Sequence, residues 1–266
     1  MQTPCDDLRA EYQALAELCA TLDAAGWRRP SAFYGWSAWD EIAHLLYFDQ
    51  TALQSVTNPE AFRRDADGLN ARTTAGEEIS AIARERFGAL DGPSLLAAWC
   101  RGSGALVDAL EPLDPKARLS WYGPSMSARS FATARLMETW AHGQDIWDVA
   151  GRRRPASDRL RHIAHIGVTT FGWTFVNRSW AVPDVKPRIE LSAPDGSVWT
   201  WGEPGSADVV RGSAEDFCLL VTQRRHLDDT GLQYSAGPLA TWLSVAQCFA
   251  GPPADGPAAG VRRTVA

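Results

Sequence analysis

Two histidines and a glutamate are the residues of this chain whose types and spacing could do chemistry. Glu138 and His142 lie four apart in Met137-Glu138-Thr139-Trp140-Ala141-His142, so on a helix they share one face, a turn apart. His44 comes from a distant segment, Trp39-Asp40-Glu41-Ile42-Ala43-His44-Leu45-Leu46. Two neutral imidazoles and one carboxylate suit zinc or a similar divalent ion. Three protein ligands also leave a position open for water or substrate. The surroundings are apolar: Ile42, Ala43, Leu45, Leu46, Tyr47 and Phe48 around His44, and Trp140, Ile146 and Trp147 around His142. Burying imidazoles and a carboxylate together is costly unless something pairs them, and a cation would do so.

Such a site needs helices packed face to face. Leu8, Tyr12, Leu15, Leu18, Cys19 and Leu22 recur at helical spacing and predict a helix over 4–26, stopped by Gly26. Ser37 is placed to cap a second helix running to about Thr57, with Asp40 and Glu41 as helix-start charges and Asn58-Pro59 as its end. A third pattern covers about Leu69 to Phe87, and a fourth runs from Pro93 to about Leu110. Residues 116–128 read as loop. The helix carrying Glu138 and His142 spans about Ser130 to Ala150, ended by Gly151. Four main helices with short breaks predict a bundle, and bundles place metal sites on the inward faces of facing helices. A further helix is expected over 158–177. Its His162 and His165 lie beside Arg159 and Arg161, which favours a partly solvated face over a ligand pair.

The run Gly35-Trp36-Ser37-Ala38-Trp39-Asp40-Glu41-Ile42-Ala43-His44-Leu45 resembles the second-helix motif of the mycothiol-dependent maleylpyruvate isomerase N-terminal family, part of the wider DinB-like helical-bundle group. The run Glu138-Thr139-Trp140-Ala141-His142-Gly143-Gln144-Asp145-Ile146 resembles its fourth-helix motif. The resemblance implies that His44, Glu138 and His142 bind a divalent metal, usually zinc. Beyond the bundle, residues 187–191 and 197–201 alternate like strands about a Pro194-Asp195-Gly196 turn, and 207–211 reads as a third strand. Helices are expected from Ser213 to about Arg225 and from Pro238 to about Phe249. This α+β stretch is similar to the sterol-carrier-like domain that often accompanies the bundle in the family. The expected organisation is therefore a mainly α, DinB-like four-helix bundle over 1–155, a connecting helix and small α+β domain over 156–250, and a disordered Pro/Gly/Ala-rich tail over 251–266.

Composition narrows the function. Hydrophobic residues at 45% and charged residues at 22% of 266 are ordinary for a globular protein. The net charge of −6 argues against nucleic-acid binding, and Arg152-Arg153-Arg154 reads as a solvated linker. Five cysteines without a CxxC pair fit a reducing cytoplasm. No leader pattern and no membrane-spanning apolar run is present. Among the 12 tryptophans, Trp36 and Trp140 lie close to the ligand residues and are candidates for lining a cofactor or thiol pocket. Arg224 and Arg225 end a predicted helix, where a cation suits the helix dipole. The resemblance places a substrate-orienting arginine on that helix, which either residue could supply, and a guanidinium fork suits a carboxylate.

The expected function is a zinc-type, divalent-metal enzyme that uses a low-molecular-weight thiol such as mycothiol on a small electrophile, as isomerase or S-transferase. The same donor set would also serve a metal-dependent hydrolase, or a metal-containing ligand-binding or regulatory protein without turnover. Asp145 is a candidate for fixing a histidine tautomer behind the metal.

Overall fold

The computed structural model describes residues 1–262, which form two units, Met1–Arg152 and a second that begins at Arg153. The first contains α1 (Gln2–Cys19), α2 (Ala38–Thr57), α3 (Pro59–Thr74), α4 (Ile79–Phe87), α5 (Gly92–Leu110), a small hairpin of β1 (Arg118–Leu119) and β2 (Met126–Ser127), and α6 (Ala128–Val149). α1, α6, α2 and α5 pack around in that order as a closed ring of four, with α3 and α4 laid on α2. Their inward faces carry Leu8, Leu15, Ile42, Leu45, Leu46, Trp99, Leu106 and Phe131, all fully buried.

Local chemistry starts the helices that matter. Ser37 and Asp40 form a reciprocal capping box at the start of α2: Asp40 accepts from the Ser37 backbone N–H at 2.9 Å, and Ser37 Oγ accepts from that of Asp40. Ser127 caps α6 by accepting from the Ser130 N–H at 3.1 Å, and Asp91 caps α5 likewise. Asn58-Pro59 does more than end α2. Asn58 accepts from the Ala61 N–H at 3.1 Å and Pro59 occupies the first turn, so the same dipeptide starts α3. The pattern expected as one helix over 69–87 is two, divided where Gly76 adopts a left-handed φ of 91°. α1 stops at Cys19, short of the expected Gly26, and the 116–128 loop contains the β1–β2 pair.

One carboxylate joins all four bundle helices. Asp49 on α2 is fully buried and accepts hydrogen bonds from Tyr12 Oη of α1 (2.8 Å), Trp99 Nε1 of α5 (2.9 Å) and Arg135 Nε of α6 (2.9 Å). Burial opposes the charge on Arg135, but the surrounding groups, Asp49 first and with it Tyr12 and Glu138, together outweigh this and raise the guanidinium pKa.

The second unit holds α7 (Leu160–Thr169), α8 (Phe171–Asn177), β3 (Arg188–Ser192), β4 (Val198–Trp201), β5 (Val209–Ser213), α9 (Ala214–Val221), β6 (Gln233–Tyr234) and α10 (Pro238–Ser244). The sheet order is β4-β3-β5-β6, with β3 antiparallel to β4, parallel to β5, and β5 antiparallel to β6. Gly196, at a φ of 84°, turns the β3–β4 hairpin. The expected single helix over 158–177 divides at Thr170. α9 ends at Val221 because the chain reverses through Gln223, which takes a left-handed φ of 57°. α10 also ends early, at Ser244. In the Arg152-Arg153-Arg154 run, Arg152 and Arg153 are exposed but Arg154 is buried, so that part of the linker reading is corrected.

The tail expectation also changes. Residues 251–262 lack helix or strand but are held down: Gln223 Nε2 donates to the Ala254 carbonyl at 2.6 Å, Arg178 pairs with Asp255 at 2.8 Å, and the Gly260 N–H donates to Asp229 at 2.7 Å. Polar partners in the second unit order a composition that suggested disorder. Residues 263–266 lie outside the described residues. Among the described residues, no helix is long and apolar enough to cross a membrane.

Candidate metal centre

Two helix faces build the centre. On α2, Glu41, His44 and Phe48 follow at spacings of three and four. On α6, Arg135, Glu138, His142 and Asp145 do the same, so each set forms one stripe. Packing α2 against α6 sets the stripes opposite each other. The His44 and His142 ring centres come within 4.2 Å. Glu138 Oε2 lies 3.4 Å from His142 Nε2 and 3.9 Å from His44 Nε2. One donor atom from each of the three falls within 4.8 Å of the others. Bonds of about 2.0–2.1 Å around a tetrahedral ion set neighbouring donors about 3.3–3.5 Å apart, so the spacing needs only small adjustment to hold zinc.

Burial is graded across the cluster. The side chain of Glu41 is fully buried, His142 is 7% exposed, His44 12% and Glu138 24%. The donor set therefore has a closed back and an open front, as a site that keeps one coordination position for a ligand requires. Burial alone would push the Glu138 carboxyl up. The imidazoles of His142 and His44 beside it, with the Arg135 guanidinium, hold it well below the usual carboxylate range. The carboxylate is thus ionised and available as a ligand.

The back of the site depends on Glu41. Glu41 Oε2 lies 2.7 Å from His142 Nδ1. A carboxylate at that distance accepts, so Nδ1 carries the proton and Nε2 turns its lone pair toward Glu138 and His44. Glu41 stands beside Asp40 in the first turn of α2, where a carboxylate suits the helix dipole, and holds His142 as well. Asp145, expected as a tautomer-fixing residue, is buried in a group with Glu41 and His142 whose ligand atoms lie within 4.8 Å of one another, but the 2.7 Å contact to His142 belongs to Glu41. The sequence signal for Glu41 was its three-residue spacing from His44, which places both on one face.

The other candidates separate. Trp36 is beside both imidazoles, 5.4 Å from the His44 ring centre and 6.0 Å from that of His142, nearly parallel to the latter. Trp140 is buried and sits two residues from both Glu138 and His142, so it leaves α6 on the opposite side, about 200° around the axis. Arg224 and Arg225 follow α9 rather than ending it, in the second unit, and both are buried. Arg224 donates to the Thr222 carbonyl and Arg225 to the Arg224 carbonyl, each at 2.8 Å. His165 accepts from Trp201 Nε1 at 3.2 Å, a structural use in keeping with the non-ligand reading of that helix.

Comparison with known proteins decides the family. The sequence profile of the mycothiol maleylpyruvate isomerase N-terminal domain matches residues 8–147, the segment that holds every donor described above. The chain belongs to this family. Its isomerase-family bundle continues into relatives of the same length. A Mycobacterium tuberculosis protein, found in two strains under the name "Uncharacterized protein", is 42% identical over 250 residues, covering 94% of this chain and 96% of the relative. Crystal structures of mycothiol-dependent maleylpyruvate isomerase and of a point mutant of it align with TM-scores of 0.55 and 0.56, covering 88% of this chain and 92% of theirs. At 15% and 17% identity that likeness is one of fold, a mainly α bundle followed by a small α+β part.

Proposed function

We propose that this protein is a divalent-metal enzyme that uses a low-molecular-weight thiol such as mycothiol on a small electrophile, as an isomerase or S-transferase. The observation that carries this reading is the division of labour on His142, with Nδ1 committed to Glu41 and Nε2 converging with His44 and Glu138 at the open front. In this reading His44, Glu138 and His142 hold the ion, preferably zinc. When bound, the cation would hold a thiol as its thiolate, whose addition to an activated double bond gives isomerisation if it reverses after rotation and S-transfer if it does not. Glu41 fixes the His142 tautomer. All five cysteines are free thiols, four of them buried, which suits the reducing cytoplasm where such a cosubstrate persists.

The test is elemental analysis of protein purified without chelator, then assay of activated alkenes with and without the thiol. About one divalent ion per chain is expected, lost in folded His142→Ala and His44→Ala variants, together with thiol-dependent turnover. Stoichiometric metal retained in both variants would overturn the ligand set. Turnover that ignores the thiol would overturn the thiol chemistry.

A further inference from the structure

We infer that the front of this site receives a flat apolar group, an aromatic ring or conjugated system carried by the electrophile; this specifies a substrate class for the function proposed above and rests on that reading. Aromatic rings flank the donor set on two sides. Trp36 lies against both imidazoles, and Phe33 meets the His142 ring edge-on at 5.6 Å. Beyond His44, Phe48 lies at 4.7 Å and continues to Tyr122 at 5.5 Å and Trp121 at 6.3 Å. All five rings are only partly buried, so each keeps surface to offer. The basic side chain one turn before Glu138 on α6, Arg135, is buried and hydrogen-bonded to Asp49, so it is not exposed for a ligand at the front to bond.

The turn that carries the first wall adds a second, independent observation. Residues 31–36 close on themselves, with the Ser31 N–H donating to the Trp36 carbonyl at 2.7 Å and the Trp36 N–H to the Phe33 carbonyl at 2.8 Å. At its tip Tyr34 takes a φ of 49° and Gly35 a φ of 71°. A left-handed conformation is unfavourable for a bulky residue and natural for glycine or asparagine. Tyr34 is also 74% exposed, so core packing does not explain the large ring there. A strained, exposed aromatic residue, edge-on to Phe33 at 4.8 Å, extends the wall outward and fits a ligand-contacting role. Aromatic walls around a few polar groups are how ligand pockets take apolar, planar groups.

The probes are S-benzylcysteine and S-carboxymethylcysteine, which share a zwitterion, carry no free thiol and differ in the group presented. Affinities are measured by ligand-observed NMR titration, with metal-loaded protein and after chelation. S-benzylcysteine is expected to bind at least about tenfold more tightly, the scale of burying one ring. The preference should fall by about threefold or more in Tyr34→Gly and in Phe48→Leu, with no loss of melting temperature in Tyr34→Gly because glycine relieves the turn. Equal affinities, a preference for the carboxymethyl probe, or a preference undiminished in both variants would overturn the inference. Because the preference is read with and without metal, absence of metal binding would defeat the functional reading while leaving the ring preference measurable.

Discussion

His142 shows how much one side chain depends on what stands behind it. Its two nitrogens face different partners, Glu41 at 2.7 Å and Glu138 at 3.4 Å, and only the proton on the first keeps the second free to bind a cation. Replacing Glu41 with glutamine retains the shape and removes the charge. Glu41→Gln is expected to weaken metal binding about 10- to 100-fold, the usual effect of losing a partner behind a ligating histidine. Competition with a chelator of known affinity measures this, and an unchanged dissociation constant would show that packing alone orients the ring. Ligation also stabilises the native state by mass action, so removing metal should lower the melting temperature of wild type and leave that of His142→Ala unmoved.

At the scale of the element, α2 carries both Glu41 and His44, and its first turn sets where they sit. The Ser37–Asp40 box defines the helix start, and Arg84 Nε of α4 donates to Asp40 Oδ1 at 2.7 Å. Burial works against the Asp40 charge, but the bonds from Arg84 and Ser37 outweigh it and hold the carboxyl below its usual range. A carboxyl depressed in the folded state stabilises the protein above its unfolded pKa of about 3.9, and that stability is lost as pH falls through the lower folded value. Asp40→Asn should therefore cost about 1 kcal/mol near neutral pH, mostly through the cap, since Arg84 is 55% exposed and its charge is screened. The difference should be constant above about pH 5 and shrink below about pH 4. Urea unfolding of both proteins across that range checks it, and a gap that widens on acidification would reverse the sign of the argument.

For the whole bundle the critical contact is the Asp49 node, which Tyr12, Trp99 and Arg135 reach from three other helices. Removing its carboxylate leaves the Arg135 charge buried without its hydrogen-bonded partner. Asp49→Ala is expected to cost about 3–5 kcal/mol, enough to unfold many domains, whereas Tyr12→Phe removes one hydrogen bond and should cost about 1–2 kcal/mol. Chemical denaturation distinguishes them, and equal losses would mean that the charge pair contributes no more than a neutral contact. Because Arg135 lies one turn from Glu138, a surviving Asp49→Asn protein should also bind metal more weakly.

Helix periodicity, caps and the four-residue spacing of Glu138 and His142 are properties of neighbouring residues, and so the bundle, the capped start of α2 and the shared helix face of Glu138 and His142 could be read from the chain alone. The same holds for the β3–β4 hairpin, whose Asp195-Gly196 turn is local chemistry. What needed three dimensions involves partners far apart in sequence. Glu41 meets His142 across 101 positions; its three-residue spacing from His44 puts both on one face of α2, but only the arrival of α6 supplies the partner. Asn58-Pro59 signals a boundary, but whether the chain leaves or begins again depends on α2 having a surface for α3. The 251–262 tail is ordered by Gln223, Arg178 and Asp229, none of them local to it. Local free energy differences choose the elements; desolvation of charged groups between elements chooses their partners, and that term exists only once the faces have met.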